Sequence, residues 1–560
     1  MKYKIINFEK YNISAAAVAS DADWLLFVEK GAQLAEDAVL RLEKAVAADE
    51  TAVAFELRQS PADSAHHTDP VTLEIPYLDT AAFMVKRTAF EQAGGFDGNF
   101  SVLALVDLSW RLRAAGGVLK ACPQAAVISE TAADERYEYI HGAYEKMLLG
   151  YKWGNENAAK AEFEQTMKTP RHFPGVRKQL AKLYAGHFLK TAGLKKFRKT
   201  KLYNPSVCDF SPGFGPSRGK EAFGEIDDEP LVSIVIRTHK RKEVLRHTLK
   251  CLRNQIYRNF EVVIVEDGEN TAEEMVKADF ADLNINYYAT GKNVGRGRAG
   301  NIGIERAKGE FVSFLDDDDF YYPDFITGHV SKFMEHPQAD VVISGIMAVK
   351  SNTLSVDPFE FEYKGMYPVL FDHITLMDMC VKCRIPMTGA MFRRRMYDVC
   401  GGMREDIGGD EDWVMWLKYI TRGTRVNVYN ADINRAMSMF LYPADEAAAQ
   451  KRLDGYEVFD KIMLYDESLV FSVHGSEIRE WEEYVAADIG HLKNIGALPQ
   501  FMADLKPLGT EKLEYNPQEI NSISARQINN YYYWLVNHYA QQEKNNKKCK
   551  IMLDKTQNRC

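Results

Sequence analysis

The chain has 560 residues and a formal net charge of −9. Its composition, 46% hydrophobic and 27% charged, is typical of globular proteins and excludes wholesale disorder. At about 150 residues per domain, the length predicts three or four folding units. The small negative charge argues against a dedicated nucleic-acid binder, because such proteins are basic overall.

The sequence has no pattern typical of secretion or of a membrane span. Its first residues, MKYKIINFEKYNISAAAVAS, are polar where a signal peptide carries an apolar core. No stretch approaches the ~20 consecutive apolar residues that cross a bilayer. Eight cysteines in 560 residues are too sparse for a disulfide framework. We therefore expect a cytoplasmic protein.

The first two predicted regions are residues 1–133 and a connector, 134–228. The first contains a buried strand from Trp24 to Val28. The connector is basic at its centre, with 11 Lys or Arg and no Asp or Glu between Lys168 and Lys201. It is either a solvated helix that joins two domains or a contact for anionic lipid or an anionic polymer. The connector ends in a Pro/Gly/Ser-rich linker, NPSVCDFSPGFGPSRG.

The clearest pattern of strands and helices begins at Pro230. Apolar runs predict buried parallel strands, and a stripe of apolar residues at intervals of three and four predicts the helix after the first strand. The strands, in chain order, are LVSIVIRTHK, FEVVIVEDG, NINYYAT and EFVSFLDDDD. Strands that alternate with helices predict an open α/β sheet with right-handed crossovers.

Polar residues stand where these strands end. Thr238, Asp267 and the run Asp316 to Asp319 all lie at carboxyl ends, where ligands bind on such sheets. Four adjacent carboxylates repel one another, which favours neutralisation by a divalent cation or by hydrogen-bond donors. Hard oxygen ligands suit Mg²⁺ or Mn²⁺ bound to phosphate. A solvated acidic loop is the alternative for the run by itself.

The segment from about Leu231 to Met439 resembles the inverting GT-A glycosyltransferases of family 2. The resemblance depends on the order and spacing of four strings: VSIVIRTHKR, QIYRNFEVVIVEDG, KNVGRGRAGNIGIERAKGEFVSFLDDDDFYYPDFI and GGMREDIGGDEDWVMWLKYITRG. It implies a GT-A fold, a Rossmann-like and mostly parallel open sheet flanked by helices, over residues 229–442. Residues 443–560 are predicted to be a helical C-terminal region.

The resemblance also implies which residues bind the donor. Asp267 matches the acid that accepts a hydrogen bond from the nucleotide base, and Asp316 the acid that contacts the ribose. Thr238 and Arg241 border the same pocket, although Arg237-Thr238-His239-Lys240 departs from the family's usual Pro-Thr-Tyr-Asn. The remaining candidates lie on the glycine-rich loop or start of the next helix: Asn293, Arg296 and Arg298. Each arginine could instead cover only the helix surface.

The same resemblance implies the metal ligand and the base. Asp318 matches the direct ligand of Mn²⁺ or Mg²⁺, and Asp412 matches the catalytic base. By itself, Asp412 would be interpreted as an acid that stabilises a helix N-terminus. Arg435 is a further candidate contact near the diphosphate.

The predicted activity is inverting, metal-dependent transfer of a sugar, hexosyl or N-acetylhexosaminyl, from a nucleotide donor. UDP is the expected nucleotide, and the acceptor is a hydroxyl of a glycan, cell-surface polymer or glycoprotein. A homo-oligomer and a peripheral contact with the inner membrane face through 168–201 are further expectations. The alternatives are a two-site polysaccharide synthase and a non-catalytic sugar-binding scaffold.

Residues 1–133 are predicted to be a degenerate, partial copy of the GT-A module. SDADWLLFVEKGAQLAEDAVLRL parallels GEFVSFLDDDDFYYPDFITGHV, and a second pair of strings follows in the same order. In this alignment Asp316 falls on Glu29, Asp318 on Gly31 and Asp412 on Leu105, with Asp107 nearby. The nucleotide-binding front half has no room before Glu29. We expect this copy to be inactive.

Overall fold

The computed structural model describes the chain in segments. The described residues are 1–13, 20–60, 66–129, 134–154, 156–168, 173–187, 191, 194, 229–370, 374–381, 383–407, 411–422, 428–430, 436–445, 470–505 and 509–541. The predicted linker, much of the basic centre, the last residues of the chain and Arg435 lie outside them.

An N-terminal sheet of six strands occupies the first part of the chain. Its strand order is β1-β2-β5-β4-β6-β3, and three helices accompany it. The elements are β1 Tyr3–Phe8, β2 Trp24–Glu29, β3 Gln33–Leu34, α1 Ala38–Ala48, β4 Ala52–Ser60, β5 Ala82–Lys86, α2 Arg87–Gln92, α3 Ala104–Ala114 and β6 Val118–Ile128. The predicted strand from Trp24 is β2, whose residues are all buried.

The described part of the connector is helical. It contains α4 Glu135–Trp153, α5 Glu156–Lys168 and α6 Val176–Ala185. Apolar residues of α4, α5 and α6 join the hydrophobic core beside the N-terminal sheet, whereas Arg177, Lys178 and Lys182 are exposed. This arrangement attaches the connector helices to the N-terminal sheet.

The central sheet has seven strands in the order β16-β12-β15-β10-β7-β8-β9. Its elements are β7 Val232–Thr238, α7 Lys242–Arg253, β8 Phe260–Glu266, α8 Glu273–Asp279, β9 Ile285–Ala289, α9 Arg296–Arg306, β10 Phe311–Phe314, α10 Phe325–Glu335, β12 Val341–Ile343, β15 Ala390–Arg393, α12 Arg395–Cys400, α13 Glu411–Arg422 and β16 Val428–Asn430. The four predicted strands correspond to β7, β8, β9 and β10. Strands β10, β7, β8 and β9 are mutually parallel.

Both faces of the central sheet are covered, as its uninterrupted apolar strands require. Ile234 and Ile236 belong to one buried cluster, whereas Val235 belongs to the cluster on the opposite face. The alternation follows from the period of two along a strand. The α/β architecture that the sequence predicted is confirmed.

A smaller sheet and a helical C-terminal region complete the described structure. The small sheet, β11-β17-β13-β14, is formed by β11 Phe320–Tyr321, β13 Gly345–Val356, β14 Phe359–Val369 and β17 Ala436–Pro443. The remaining elements are α11 Leu376–Val381, β18 Val470–His474, α14 Gly475–Asn494, α15 Leu498–Asp504, β19 Ile520–Ser524 and α16 Ala525–Gln541. Trp481 of α14 and Ile528 of α16 share a core with Trp416 of α13. Within the described ranges, no helix is long and apolar enough to cross a membrane.

The N-terminal and central sheets are connected by side-chain contacts. His67 Nε2 and Tyr322 Oη share a hydrogen bond of 3.0 Å, and Asn254 Nδ2 donates to the carbonyl oxygens of Pro70 and Val71. The loop of residues 66–74 therefore contacts the segment that follows the aspartate run.

Candidate active site

Strands β7, β8 and β10 end at one edge of the central sheet and bring three predicted site residues to it. Thr238 is the last residue of β7, Asp267 follows β8, and Asp316 follows β10 by two residues. The backbone N–H of Asp267 donates to the carbonyl oxygen of Thr238 at 2.7 Å. The neighbouring parallel strands thus hold these side chains close together.

The four aspartates after β10 alternate between two environments. Asp317 and Asp319 are buried, whereas the side chains of Asp316 and Asp318 are 23% and 37% exposed. Thr238 Oγ1 donates to Asp317 at 2.7 Å, and Asp319 accepts from the Thr388 hydroxyl and the Leu441 amide. Burial raises the pKa of Asp317 to about 7 and that of Asp319 well above its ordinary value. The more exposed pair is the one in the Asp-x-Asp register.

Arg241 links the buried and exposed members of this run. Its Nη1 contacts Asp317 Oδ1 at 2.7 Å, and its Nη2 contacts Asp318 Oδ2 at 2.9 Å. Arg241 precedes α7, and the guanidinium is partly exposed. Thr238 and Arg241 therefore contact the aspartates directly.

Asp267 is buried against the glycine-rich loop that precedes α9. Its Oδ1 accepts from the Val294 N–H at 2.6 Å and its Oδ2 from the Gly295 N–H at 3.1 Å. Gly295 has φ +91°, a conformation that glycine adopts without strain. Asn293, on the same loop, is exposed. The carboxylate thus fixes the loop and retains lone pairs for a further donor.

Two arginines and two acids form a ring of ion pairs between the aspartate run and the start of α13. Arg237 Nη2 donates to Asp316 at 2.9 Å, and its Nη1 donates to Glu411 at 2.6 Å. Arg296, the first residue of α9, lies 3.6 Å from Asp316 and 3.5 Å from Glu411. Arg298 instead pairs with Glu305 and Glu405 on the helix exterior, which is the surface role left open by the sequence.

Asp412 follows Glu411 in the first turn of α13. It is half-buried, and burial raises its pKa to about 6; the charge of Glu411 acts in the same direction and that of Arg237 opposes it. Trp413 Nε1 donates to the Met379 carbonyl at 2.7 Å, which fixes the next residue of the helix. A carboxylate with this pKa is mostly ionised at neutral pH and can accept a proton.

The face of α9 that carries glycines lets the segment before α13 approach closely. A Cβ on Gly297 would lie 2.1 Å from the carbonyl oxygen of Arg404, and one on Gly300 would lie 2.6 Å from the sulfur of Met403. Asn301 Nδ2 donates to the carbonyl of Met403 at 3.0 Å. These contacts set the path of the chain from α12 towards Asp412.

Asp318 has the chemistry of a ligand for a divalent metal. It offers a hard carboxylate oxygen on a partly exposed side chain, and Arg241 occupies Oδ2. Among the residues placed in the structure, no three His, Cys, Asp or Glu side chains group as a metal site. Mn²⁺ or Mg²⁺ at Asp318 would then take its other ligands from phosphate and water, as these ions commonly do.

Sequence reasoning missed two residues that contact the predicted site. Arg237 and Glu411 were not assigned roles, although each departs from its surroundings. Arg237 is a charge at the end of a wholly buried strand, and Glu411 stands directly before the predicted base. A charged residue in a buried position requires a partner, which is the signal that could have identified both.

A family model described as "Glycosyl transferase family 2" matches residues 233–401. The match includes the predicted metal ligand and all the predicted donor-site residues except Arg435. Asp412 lies beyond its end, and the N-terminal sheet lies before its start.

Two bacterial glycosyltransferases are similar to about a third of the chain. YwdF of Bacillus subtilis is 32% identical over 193 residues, which cover 33% of this chain and 67% of that protein. RT0329 of Rickettsia typhi is 32% identical over 200 residues, which cover 34% of this chain and 59% of that protein. The chain thus spans about three fifths to two thirds of the length of these relatives, both named as uncharacterized glycosyltransferases.

A solved structure, Staphylococcus aureus TarS 1–349 in complex with UDP-GlcNAc, is 19% identical with a TM-score of 0.33. The similarity covers 42% of this chain and 66% of that one. A score of this size supports no assignment of residues.

Proposed function

The chain belongs to glycosyl transferase family 2, and we propose that it transfers a sugar from a UDP-linked donor to a hydroxyl of a glycan, cell-surface polymer or glycoprotein, with inversion. The transferred group is a hexose or an N-acetylhexosamine. One observation carries the proposal: Asp267 and the Asp316–Asp318 pair lie at one sheet edge, and the ring of Arg237 and Arg296 connects this edge to Glu411, beside Asp412.

The donor lies on the sheet-edge side in this proposal. Asp267 accepts a hydrogen bond from the nucleotide base, while Asp316 accepts one from the ribose. Arg296 is the most exposed cation of the ring, 57% exposed, and can turn towards the diphosphate. Asn293 is exposed on the loop that precedes α9. Arg298 is a weaker candidate, because it pairs with Glu305 and Glu405. A Mn²⁺ or Mg²⁺ at Asp318 would neutralise the charge that develops on the departing diphosphate.

Asp412 acts as the base on the acceptor side. Its carboxylate takes the proton of the acceptor hydroxyl as that oxygen forms a bond to the anomeric carbon. The bond from the anomeric carbon to the diphosphate oxygen breaks at the same time, and the electron pair leaves with the nucleoside diphosphate. Attack from the face opposite the leaving group inverts the anomeric centre.

The two alternative functions are less well supported. A two-site synthase needs a second set of acids, yet in the sequence alignment Gly31, Ala32 and Leu105 stand at the positions of Asp318, Asp319 and Asp412. A sugar-binding scaffold has no need for a half-buried acid whose pKa is raised to about 6. Arg177, Lys178 and Lys182 of α6 are exposed. Contact of the connector with anionic lipid or an anionic polymer stays a prediction.

A donor screen tests the proposal. The full chain is incubated with UDP-GlcNAc, UDP-GalNAc, UDP-glucose, UDP-galactose and GDP-mannose, with Mn²⁺, with Mg²⁺ or with EDTA, and released nucleoside diphosphate is measured. We expect metal-dependent release from one UDP-sugar. The same protein with Asp412→Asn is the matched control for contaminating hydrolases. Absence of release from every donor, with and without added glycan acceptors, would contradict the proposal.

A further inference from the structure

Arg237 connects two parts of the site that are far apart in the sequence. Its guanidinium, 7% exposed, donates to Asp316 beyond β10 and to Glu411 at the start of α13. The same group lies over the ring of Phe314, 5.5 Å from its centroid. Because the guanidinium is a rigid planar fork, two acceptors bound to it are held at a fixed separation. Arg237 thereby sets the distance between β10 and α13.

The partners of Arg237 are balanced in charge. Arg296 approaches both acids from the solvent side, so that two cations alternate with two carboxylates around the ring. Removing one partner from a buried ion pair leaves an uncompensated charge, whereas the complete pair adds little net stability. Stability by itself therefore gives little reason for a buried arginine at this position.

Glu411 transmits this constraint to the base. It is adjacent to Asp412 in the first helical turn, so the bond from Arg237 fixes the direction of α13 on one side of Asp412. On the other side, Trp413 is fixed by its bond to the Met379 carbonyl. Asp412 thus lies between two anchored neighbours.

We propose that Arg237 is a positioning residue: it couples the donor-side carboxylate Asp316 to Glu411 and so holds Asp412 at the separation from the donor that displacement requires. This inference rests on the proposed role of Asp412 as the base. Arg237 itself is buried and acts through its two carboxylate partners.

Electrostatics distinguish this role from a purely structural one. The charged groups that act on Asp412 are Glu411 on its own helix, Arg237 on β7 and Arg296 on α9. Losing the Arg237 cation should raise the pKa of Asp412, and losing the Glu411 anion should lower it. The acidic limb of the rate profile should therefore move in opposite directions in the two variants.

The experiment compares Arg237→Met, Arg237→Lys and Glu411→Gln in the full chain, with the UDP-sugar found active in the donor screen. We expect Arg237→Met to lower kcat about 10²-fold with a smaller change in donor KM, since a displacement of about 1 Å can cost that much. Arg237→Lys should recover part of the loss. The acidic limb should move to higher pH in Arg237→Met and to lower pH in Glu411→Gln.

The matched control is Arg393→Met. Arg393 lies on β15 of the same sheet, pairs with Glu310 and lies over Phe311 and Phe333, away from the site. This variant should lower the melting temperature without moving the limb. If Arg237→Met and Arg393→Met behave alike, the inference is wrong although the proposed function stands. If Arg237→Met does not fold, Arg237→Lys and Glu411→Gln decide by the same readouts.

If the wild-type chain releases no nucleoside diphosphate, the proposed function fails separately. The interaction between Arg237 and Glu411 is then tested by urea unfolding of Arg237→Lys, Glu411→Gln and the double variant. A coupling free energy between the two positions supports the link between β7 and α13. Additive effects would overturn it.

Discussion

The N-terminal and central sheets have the same pattern of parallel and antiparallel strand pairs over five strands, but they differ in the strands that continue the sheet beyond those five. In β1-β2-β5-β4-β6 the successive pairs are parallel, antiparallel, antiparallel and parallel, as they are in β7-β10-β15-β12-β16. The register also agrees: Trp24 pairs with Tyr3 and Lys86, and Phe311 pairs with Val232 and Arg393. These pairings support the prediction of a partial copy.

The central sheet continues beyond β7 into β8 and β9, whereas β1 is the edge of the N-terminal sheet in the described residues. Asp267 follows β8 and therefore has no counterpart there. The position of β7 is filled by β1, a strand that the sequence analysis did not predict. The comparison teaches that two sheets can share a strand framework while, among the described residues, only the central one has the added strands that position Asp267.

One acid of α3 and one acid of α13 also differ in their surroundings. Asp107 of α3 is buried between Lys152 at 2.7 Å and Arg111 at 2.8 Å. For Asp412 of α13, the part of the chain that the structure describes shows no ion pair, and its pKa is raised. Two cations make the first acid a structural charge, whereas the second can exchange a proton near neutral pH.

The largest effect is expected from Asp318→Asn. Loss of the metal ligand removes several kcal/mol of charge stabilisation at the departing diphosphate, so transfer should fall by about 10³-fold or more. The rate is measured against Mn²⁺ concentration, with circular dichroism as the folding control. A wild-type rate that is unchanged in EDTA would contradict the prediction.

Asp412→Asn should lower transfer by about 10²–10⁴-fold, because only deprotonation of the acceptor is lost. Donor affinity, measured by calorimetry with the active UDP-sugar, should remain close to that of the wild type. An equal loss of donor affinity would indicate a structural role for Asp412.

The rate should depend on pH through Asp412. Below about pH 6 its carboxyl is protonated and cannot accept a proton, so kcat/KM should fall about tenfold for each pH unit. Above that pH the carboxylate is ionised and the rate should be level until another group titrates. A profile that is flat down to about pH 5 would exclude a base with this pKa.

Asp107→Asn should change stability and not chemistry. The substitution leaves the buried Arg111 without a carboxylate partner, while Lys152 keeps its ion pair with Asp97. Breaking a buried ion pair costs about 3–5 kcal/mol. Urea unfolding of the full chain should show this loss, while turnover of the folded protein stays at the wild-type level. A selective fall in kcat would show that the N-terminal region contributes to the reaction.

The smallest effect is expected from Glu29→Gln, the counterpart of Asp316→Asn. The sequence alignment places Glu29 opposite Asp316, but the described residues of the N-terminal sheet include no counterpart of Asp267, so turnover should be unchanged. Donor binding measured with the same UDP-sugar should keep a stoichiometry of one. A second binding site lost in Glu29→Gln would show that the first copy is active.

Local patterns predicted the central strands and the acids at their ends. Strands β7, β8 and β10 are short, mostly apolar runs, and a polar residue stands at or just after the end of each: Thr238, Asp267 and Asp316. The ion pair of Arg237 and Glu411 was not predicted, because the two residues are 174 positions apart in the sequence. They meet only because of the order of the strands in the sheet. The alternation of buried and exposed side chains among the four aspartates was also not predictable. The donors that accompany the buried pair, the hydroxyls of Thr238 and Thr388 and the amide of Leu441, come from distant parts of the sequence.

The strand pairings of the N-terminal sheet also imply an order of events during synthesis. All of them are made within the first 128 residues, before the central sheet has been translated. Domains generally fold as units as they emerge, the N-terminal one first. The loop of residues 66–74 would then be in place when Asn254 and Tyr322 leave the ribosome. The segment that carries the aspartates would then fold against an N-terminal region that is already folded, so the first sheet could guide the folding of the second.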